Sequence, residues 1–125
     1  MKQQELINNI RDKSLTTKER GDSLENFTID LLEENWEIPI KKTKASGAMH
    51  GDGDILVGKD ICLDGKIHGQ CTSVSVKRTE LEKISHQAAK NDRVGAIVTP
   101  IVKGDDKVDI YVTMKLSDLM DIIGK

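Results

Sequence analysis

Aromatic side chains are nearly missing from this chain of 125 residues: one Trp, one Tyr and one Phe, 2% of the total. A core made without them must come from Ile, Leu, Val and Ala, and the 37% hydrophobic content is enough to supply one. Proline occurs only at Pro39 and Pro100, so little interrupts regular structure. The two cysteines, Cys62 and Cys71, are too few for a disulfide framework or a four-ligand zinc site. Free thiols fit an intracellular protein of the cytoplasm, bacterial, archaeal or phage-encoded. No apolar run approaches the roughly 20 residues of a membrane span, and no membrane partner is expected. Residues 1–13 are polar and lack the apolar stretch of a signal peptide.

An excess of charge of either sign is also lacking. Nineteen Lys and Arg stand against 21 Asp and Glu, a net of −2, whereas a nucleic-acid binder is usually basic. The average hides an asymmetry. Residues 1–40 hold nine acids and five bases, while residues 41–50 hold Lys41, Lys42 and Lys44 and no acid. Residues 76–90 add Lys77, Arg78, Lys83 and Lys90 against Glu80 and Glu82. The length fits one domain with a modest core, for which dimerisation is a natural way to bury more surface.

The periodicity predicts a mixed α/β domain over residues 16–125, a central sheet with flanking helices, preceded by a peripheral or frayed segment over residues 1–15. Thr16 and Glu19 fit a capping box opening a helix to about Asn35, with Leu24, Phe27, Thr28, Leu31 and Leu32 as its inner stripe. Gly21 offers an alternative start just after it, with Asp22 or Ser23 as the cap. Trp36 to Ile40 reads as an edge strand, and Lys44 to Gly51 as a loop. Gly53 to Val57 and Ile61 to Ile67 read as two strands joined by Gly58, Lys59 and Asp60. Thr79 to Glu82 offers a second capping box, followed by Leu81, Ile84 and Ala88 on one helical face. Val94 to Val102 and Val108 to Thr113 form a hairpin. Leu116 to Ile123 reads as a short last helix with Ser117 near its cap.

The chemistry concentrates in the first hairpin. With a three-residue turn at 58–60, Ile55 faces Leu63 and Asp54 faces Asp64, while Lys66 points to the same side as Asp64. Two carboxylates placed opposite each other repel. Their placement makes sense around a hard divalent cation, which takes one or two carboxylates together with water and phosphate oxygens. Such an ion activates water for phosphodiester hydrolysis, and Lys66 would stabilise the developing charge. An Asp52–Lys66 surface ion pair with Asp54 as a turn residue accounts for the same spacing equally well, and a register slip would reverse every side chain.

Asp54 followed by Asp64-Gly65-Lys66 resembles the D…(D/E)-x-K core of the PD-(D/E)xK nuclease superfamily, the restriction-endonuclease-like fold. Gly21-Asp22-Ser23-Leu24-Glu25 resembles the G-x-x-x-E of its first helix. Ser46-Gly47 before Gly51-Asp52-Gly53-Asp54 resembles the loop ahead of the metal-binding Asp. Lys77 to Ala89 and Val94 to Val98 resemble the helix and strand that follow. Over roughly residues 18–113 the pattern is similar to Holliday junction resolvases of the archaeal type and related small phage endonucleases. Asp64 stands where Glu is commoner, and Gly53 where Pro is usual.

The resemblance implies a restriction-endonuclease-like mixed sheet flanked by helices and a Mg²⁺-dependent (or Mn²⁺-dependent) junction-resolving endodeoxyribonuclease acting as a homodimer. It assigns Glu25, Asp54, Asp64 and the Gly65 carbonyl to the metal and Lys66 to catalysis, with Gln87 as a polar residue nearing the site; Asp52 is the reserve ligand should the hairpin register be offset by two. Lys41, Lys42, Lys44, Ser46, Lys77 and Arg78 would follow DNA phosphates, although edge-strand lysines also simply block aggregation. His68 shares the parity of Asp64 and Lys66 and reads first as a surface histidine. The rival readings are a small nuclease acting on duplex or flap DNA and an inert nucleic-acid-binding module of the same fold.

Overall fold

The computed structural model describes residues 1–43 and 54–124. The loop at 44–51, with Lys44 and Ser46, and the reserve ligand Asp52 lie outside the described residues.

Helix α1 (Gln3–Arg11) opens the chain, and it is not peripheral. Its Leu6 and Ile7 are fully buried and Ile10 nearly so, and all three belong to the main core. Three apolar residues looked too few to anchor a helix, yet their spacing puts all of them on one buried face. Gln3 reinforces the docking by accepting a hydrogen bond from the Val108 amide at 3.0 Å.

Helix α2 (Thr17–Asn35) begins at the expected box. The Thr16 hydroxyl accepts from the Glu19 amide at 3.1 Å, and the Glu19 carboxylate accepts from the Thr16 amide at 3.0 Å. These reciprocal bonds fix the start ahead of Gly21, which lies inside the helix. Leu24, Phe27 and Thr28 are buried as the stripe requires, whereas Leu31 is exposed.

Strand β1 (Ile40–Lys42) is shorter than Trp36 to Ile40 suggested and begins where that segment ends. Trp36 is instead the C-cap of α2, its amide donating to the Leu32 carbonyl at 2.8 Å, and its ring is exposed. Strands β2 (Ile55–Val57) and β3 (Ile61–Gly65) follow, then helix α3 (Arg78–Ala89). The cap of α3 sits two residues before Thr79: the Lys77 amide donates to the Glu80 carboxylate at 2.9 Å. Strands β4 (Val94–Lys103) and β5 (Lys107–Thr113) form the expected hairpin. Helix α4 (Leu116–Ile123) is capped at Lys115, not Ser117, and none of its residues is buried.

Among the described residues this is a mixed α/β arrangement, a five-stranded sheet in the order β1-β2-β3-β4-β5 with four helices. Only β3 and β4 pair in parallel, a geometry that needs a crossover, here supplied by α3. Alternation along the strands serves two packed faces. Ile55, Val57, Leu63, Ala96 and Val98 face α1 and α2, while Cys62 and Ile97 face Ile84 and Ala88 of α3. Burying each of the Ile, Leu and Val side chains among them contributes about 1.5–3 kcal/mol. Gly95 lets α3 come close, since a Cβ there would lie 2.7 Å from the Ile84 carbonyl oxygen. No helix among the described residues is long and apolar enough to cross a membrane.

Candidate active site

The β2–β3 register pairs Ile55 with Leu63, Leu56 with Cys62 and Val57 with Ile61. Carried one residue further, it sets Asp54 opposite Asp64 at the end of the hairpin where the strands part. Asp54 is held there through its backbone. Its amide donates to the Thr43 hydroxyl at 2.8 Å, and its carbonyl accepts from the Thr43 amide at 2.8 Å. Thr43 is a residue that the sequence reading did not single out, and no pattern in the chain marks it.

Three acids are buried among the described residues: Glu25, Asp54 and Asp64, at 3%, 8% and 4% exposure. A buried carboxylate is costly unless it is paired or bound to a cation, so their gathering at one end of the sheet demands a cause. Glu25 reaches this end from α2. Its Oε2 accepts from the Gly65 amide at 3.2 Å, and Lys42 of β1 lies 3.4 Å from Oε1. The same ammonium is 3.7 Å from Asp22. Glycine at 65 leaves room for Glu25, since a Cβ there would stand 2.9 Å from Glu25 Cγ. Lys66 Nζ lies 3.4 Å from Asp64 Oδ2.

Burial, and then the negative charge of Asp64, push the Glu25 carboxyl up to about 8; the Gly65 amide and Lys42 pull the other way. Glu25 and Asp64 thus form an interacting pair that shares its protons. Asp54 has its own neighbours. Gln87 of α3, with its amide nitrogen turned inward to match donor with acceptors, donates to Asp54 Oδ1 and Oδ2 at 3.1 and 3.2 Å. Burial, followed by the charge of Asp54, pushes the Cys62 thiol up to about 12. Cys62 is therefore a protonated thiol at neutral pH and no nucleophile.

A cavity of about 290 Å³ opens onto the pair, lined among others by Asp22, Glu25, Asp64, Lys66, His68 and Glu80. A larger recess of about 640 Å³, lined by Met1, Phe27, Asp30 and Lys107, holds none of the candidate site residues. His68 is not a plain surface residue: its Nε2 lies 2.8 Å from both oxygens of Glu80. Burial pushes the Glu80 carboxyl up, but the Lys77 amide, the His68 ring and the Lys66 charge together leave it below its ordinary value. Glu80 carried a sequence signal only as an acid within the Thr79 to Glu82 box, and the His68 parity pointed to the side of the strand that carries Asp64 and Lys66. Neither signal names the other residue.

No family model, curated protein or solved structure matches the chain.

The remaining candidates divide. Lys42 turns into the acidic cluster, so its charge is engaged with Glu25 and Asp22 rather than displayed along an edge. Lys41 is exposed on β1. Lys77 and Arg78 are exposed at the start of α3, with Arg78 Nε donating to Glu82 at 2.8 Å. Among the described residues no three His, Cys, Asp or Glu side chains form a finished metal cage. The donor set still suits a hard cation. Magnesium needs only one or two carboxylates, with water and substrate oxygens completing the octahedron, and two carboxyl groups forced together in a buried corner provide them.

Proposed function

We propose that this chain is a metal-dependent DNA endonuclease of the PD-(D/E)xK type with a restriction-endonuclease-like fold, resolving branched DNA as a homodimer. The observation that carries this reading is the identity of the buried acids: Glu25, Asp54 and Asp64, the three that the sequence motif selects, are the acids the described fold buries. Asp64 with Glu25 or Asp54, and the Gly65 carbonyl, would hold Mg²⁺ or Mn²⁺. A bound ion of this kind supplies a water of lowered pKa and neutralises charge on the phosphate.

The chain's own groups do the rest. Lys66, drawn to Asp64, lines the cavity, where its ammonium would meet a phosphate oxygen and offset the charge that builds up there. Lys42 favours the ionised, metal-binding form of Glu25 against its burial. Gln87 orients the Asp54 carboxylate. Exposed Lys41, Lys77 and Arg78 contribute phosphate contacts, with a salt-dependent affinity. A four-way junction has two-fold symmetry, and a symmetric pair of subunits would place two such sites on opposed strands.

The test incubates labelled four-way junction, linear duplex, flap and single-stranded DNA with the protein in Mg²⁺, Mn²⁺ or EDTA, beside Asp64→Asn. Metal-dependent cutting of the junction that is lost in Asp64→Asn supports the proposal. Equal cutting of the duplex or flap narrows it to a general nuclease. Binding without cleavage in either metal overturns it in favour of an inert binding module.

A further inference from the structure

The His68–Glu80 pair lies on the wall of the same cavity as Lys66 and is not absorbed by the metal-site reading. His68 stands three residues past Gly65, where the chain has left β3, and its ring is about one quarter exposed. Glu80, in the first turn of α3, is more buried and is itself fixed by the Lys77 amide. Both of its oxygens meet one ring nitrogen, Nε2, at 2.8 Å. A carboxylate on one imidazole nitrogen selects the tautomer with the proton on that nitrogen and leaves the other as acceptor. Among the described residues Nδ1 has no hydrogen-bond partner. The arrangement is a carboxylate-oriented imidazole beside an ammonium, in a cavity large enough for water and a phosphate.

We propose that His68 is the general base of the reaction, with Glu80 as the residue that positions it; this assignment rests on the nuclease reading above. Water in the cavity gives a proton to Nδ1 as its oxygen forms the new bond to phosphorus. The bond from phosphorus to the leaving nucleoside oxygen breaks, that oxygen keeps the electron pair and takes a proton from solvent, and His68 returns its own proton to solvent. One water and one phosphodiester thus become a phosphomonoester and an alcohol. The charged groups around the imidazole are Glu80 of α3, Lys66 beyond β3, Asp64 of β3, and Lys18, Asp22 and Glu25 of α2 across the cavity.

The experiment measures single-turnover cleavage of the best DNA substrate by the full chain as a function of pH, for wild type, His68→Ala, His68→Gln and Glu80→Gln. General-base catalysis contributes roughly 10²–10⁴-fold, so both His68 variants should lose at least about a hundredfold and also lose the acid limb of the rate profile. Glu80→Gln should keep that limb, with a smaller loss. Added imidazole should restore part of the His68→Ala rate and none of the His68→Gln rate. Ring nitrogen chemical shifts of the metal-free wild type, a readout that needs no activity, should show the proton on Nε2. With metal in excess, so that Glu25 stays ionised, a wild type that cuts while His68→Ala cuts as fast, or keeps the acid limb, overturns the base and leaves the nuclease reading standing. A wild type that cuts no DNA overturns both.

Discussion

Replacing Glu25 with Gln should stabilise the metal-free protein at alkaline pH while weakening its hold on divalent cations. The ordinary glutamate value of 4.5 is raised to about 8 in the fold, first by burial and then by Asp64. A carboxyl whose folded pKa lies above its unfolded one favours folding when protonated. Its contribution is therefore complete below about 4.5 and is lost as pH rises through about 8. The linkage integral gives a cost of under about 1 kcal/mol at pH 5 and about 4 kcal/mol at pH 8, a loss on the order of 3 kcal/mol across that window. Glutamine keeps an oxygen for the Gly65 amide and removes the charge, so Glu25→Gln should be nearly flat over the same range. The assay is urea denaturation in EDTA at pH 5, 6, 7 and 8, repeated with millimolar Mg²⁺ or Mn²⁺. Native protein should lose stability with rising pH and regain it with the ion, whereas Glu25→Gln should begin more stable at pH 8 and gain less from the ion. The reasoning is refuted if native stability in EDTA is flat or rises from pH 5 to 8, or if Glu25→Gln is no more stable than native at pH 8.

Removing the Lys42 ammonium in Lys42→Met should raise the Glu25 titration further, because Lys42 is one of the two groups that lower it; carboxyl carbon shifts followed against pH report the change. Gly65→Ala should cost roughly 1–3 kcal/mol by thermal or urea melting, since the new methyl group meets Glu25 Cγ at 2.9 Å in a packed corner. Thr16→Ala removes a hydroxyl that accepts the Glu19 amide and should cost about 1 kcal/mol, with Thr16→Ser nearly neutral. Leu116→Ser with Ile123→Ser should change monomer stability by under about 1 kcal/mol, because both side chains of α4 are more than two thirds exposed.

Element type was legible wherever one local rule governed it. The Thr16 box, the 3.6-residue stripe of α2 and the turn at Gly58 depend on residues a few positions apart, and the β2–β3 register follows from that turn. Errors came where a distant part of the chain decided the outcome. Leu6, Ile7 and Ile10 make α1 a core helix only because α2 and the sheet lie over them. Trp36 to Pro39 alternates like a strand, but the Leu32 carbonyl claims the Trp36 amide for the end of α2.

The candidate site repeats this division in a way that bears on its chemistry. Asp54, Asp64, Gly65 and Lys66 belong to one hairpin, so the parity of a strand relates them. Glu25, Lys42, Glu80 and Gln87 come from α2, β1 and α3, and no spacing in the sequence measures their distance from that hairpin. In the sequence, Lys42 beside the Ser-Gly loop reads as a phosphate contact; in the fold α2 offers it two carboxylates at 3.4 and 3.7 Å. That difference changes the balance of the site. Lys42 offsets part of the charge crowded between Glu25 and Asp64, so the fold can keep this acidic corner without an ion. In the proposed nuclease an entering ion would compete with Lys66 for Asp64 Oδ2 and would free that ammonium for the substrate phosphate. On this account metal affinity should rise, and the rate of the bound enzyme should fall, when Lys66 is replaced by Met; calorimetric titration of Mn²⁺ beside single-turnover cleavage separates the two effects. Weaker ion binding in Lys66→Met would count against such competition, since a lysine that aids the ion cannot also be its rival.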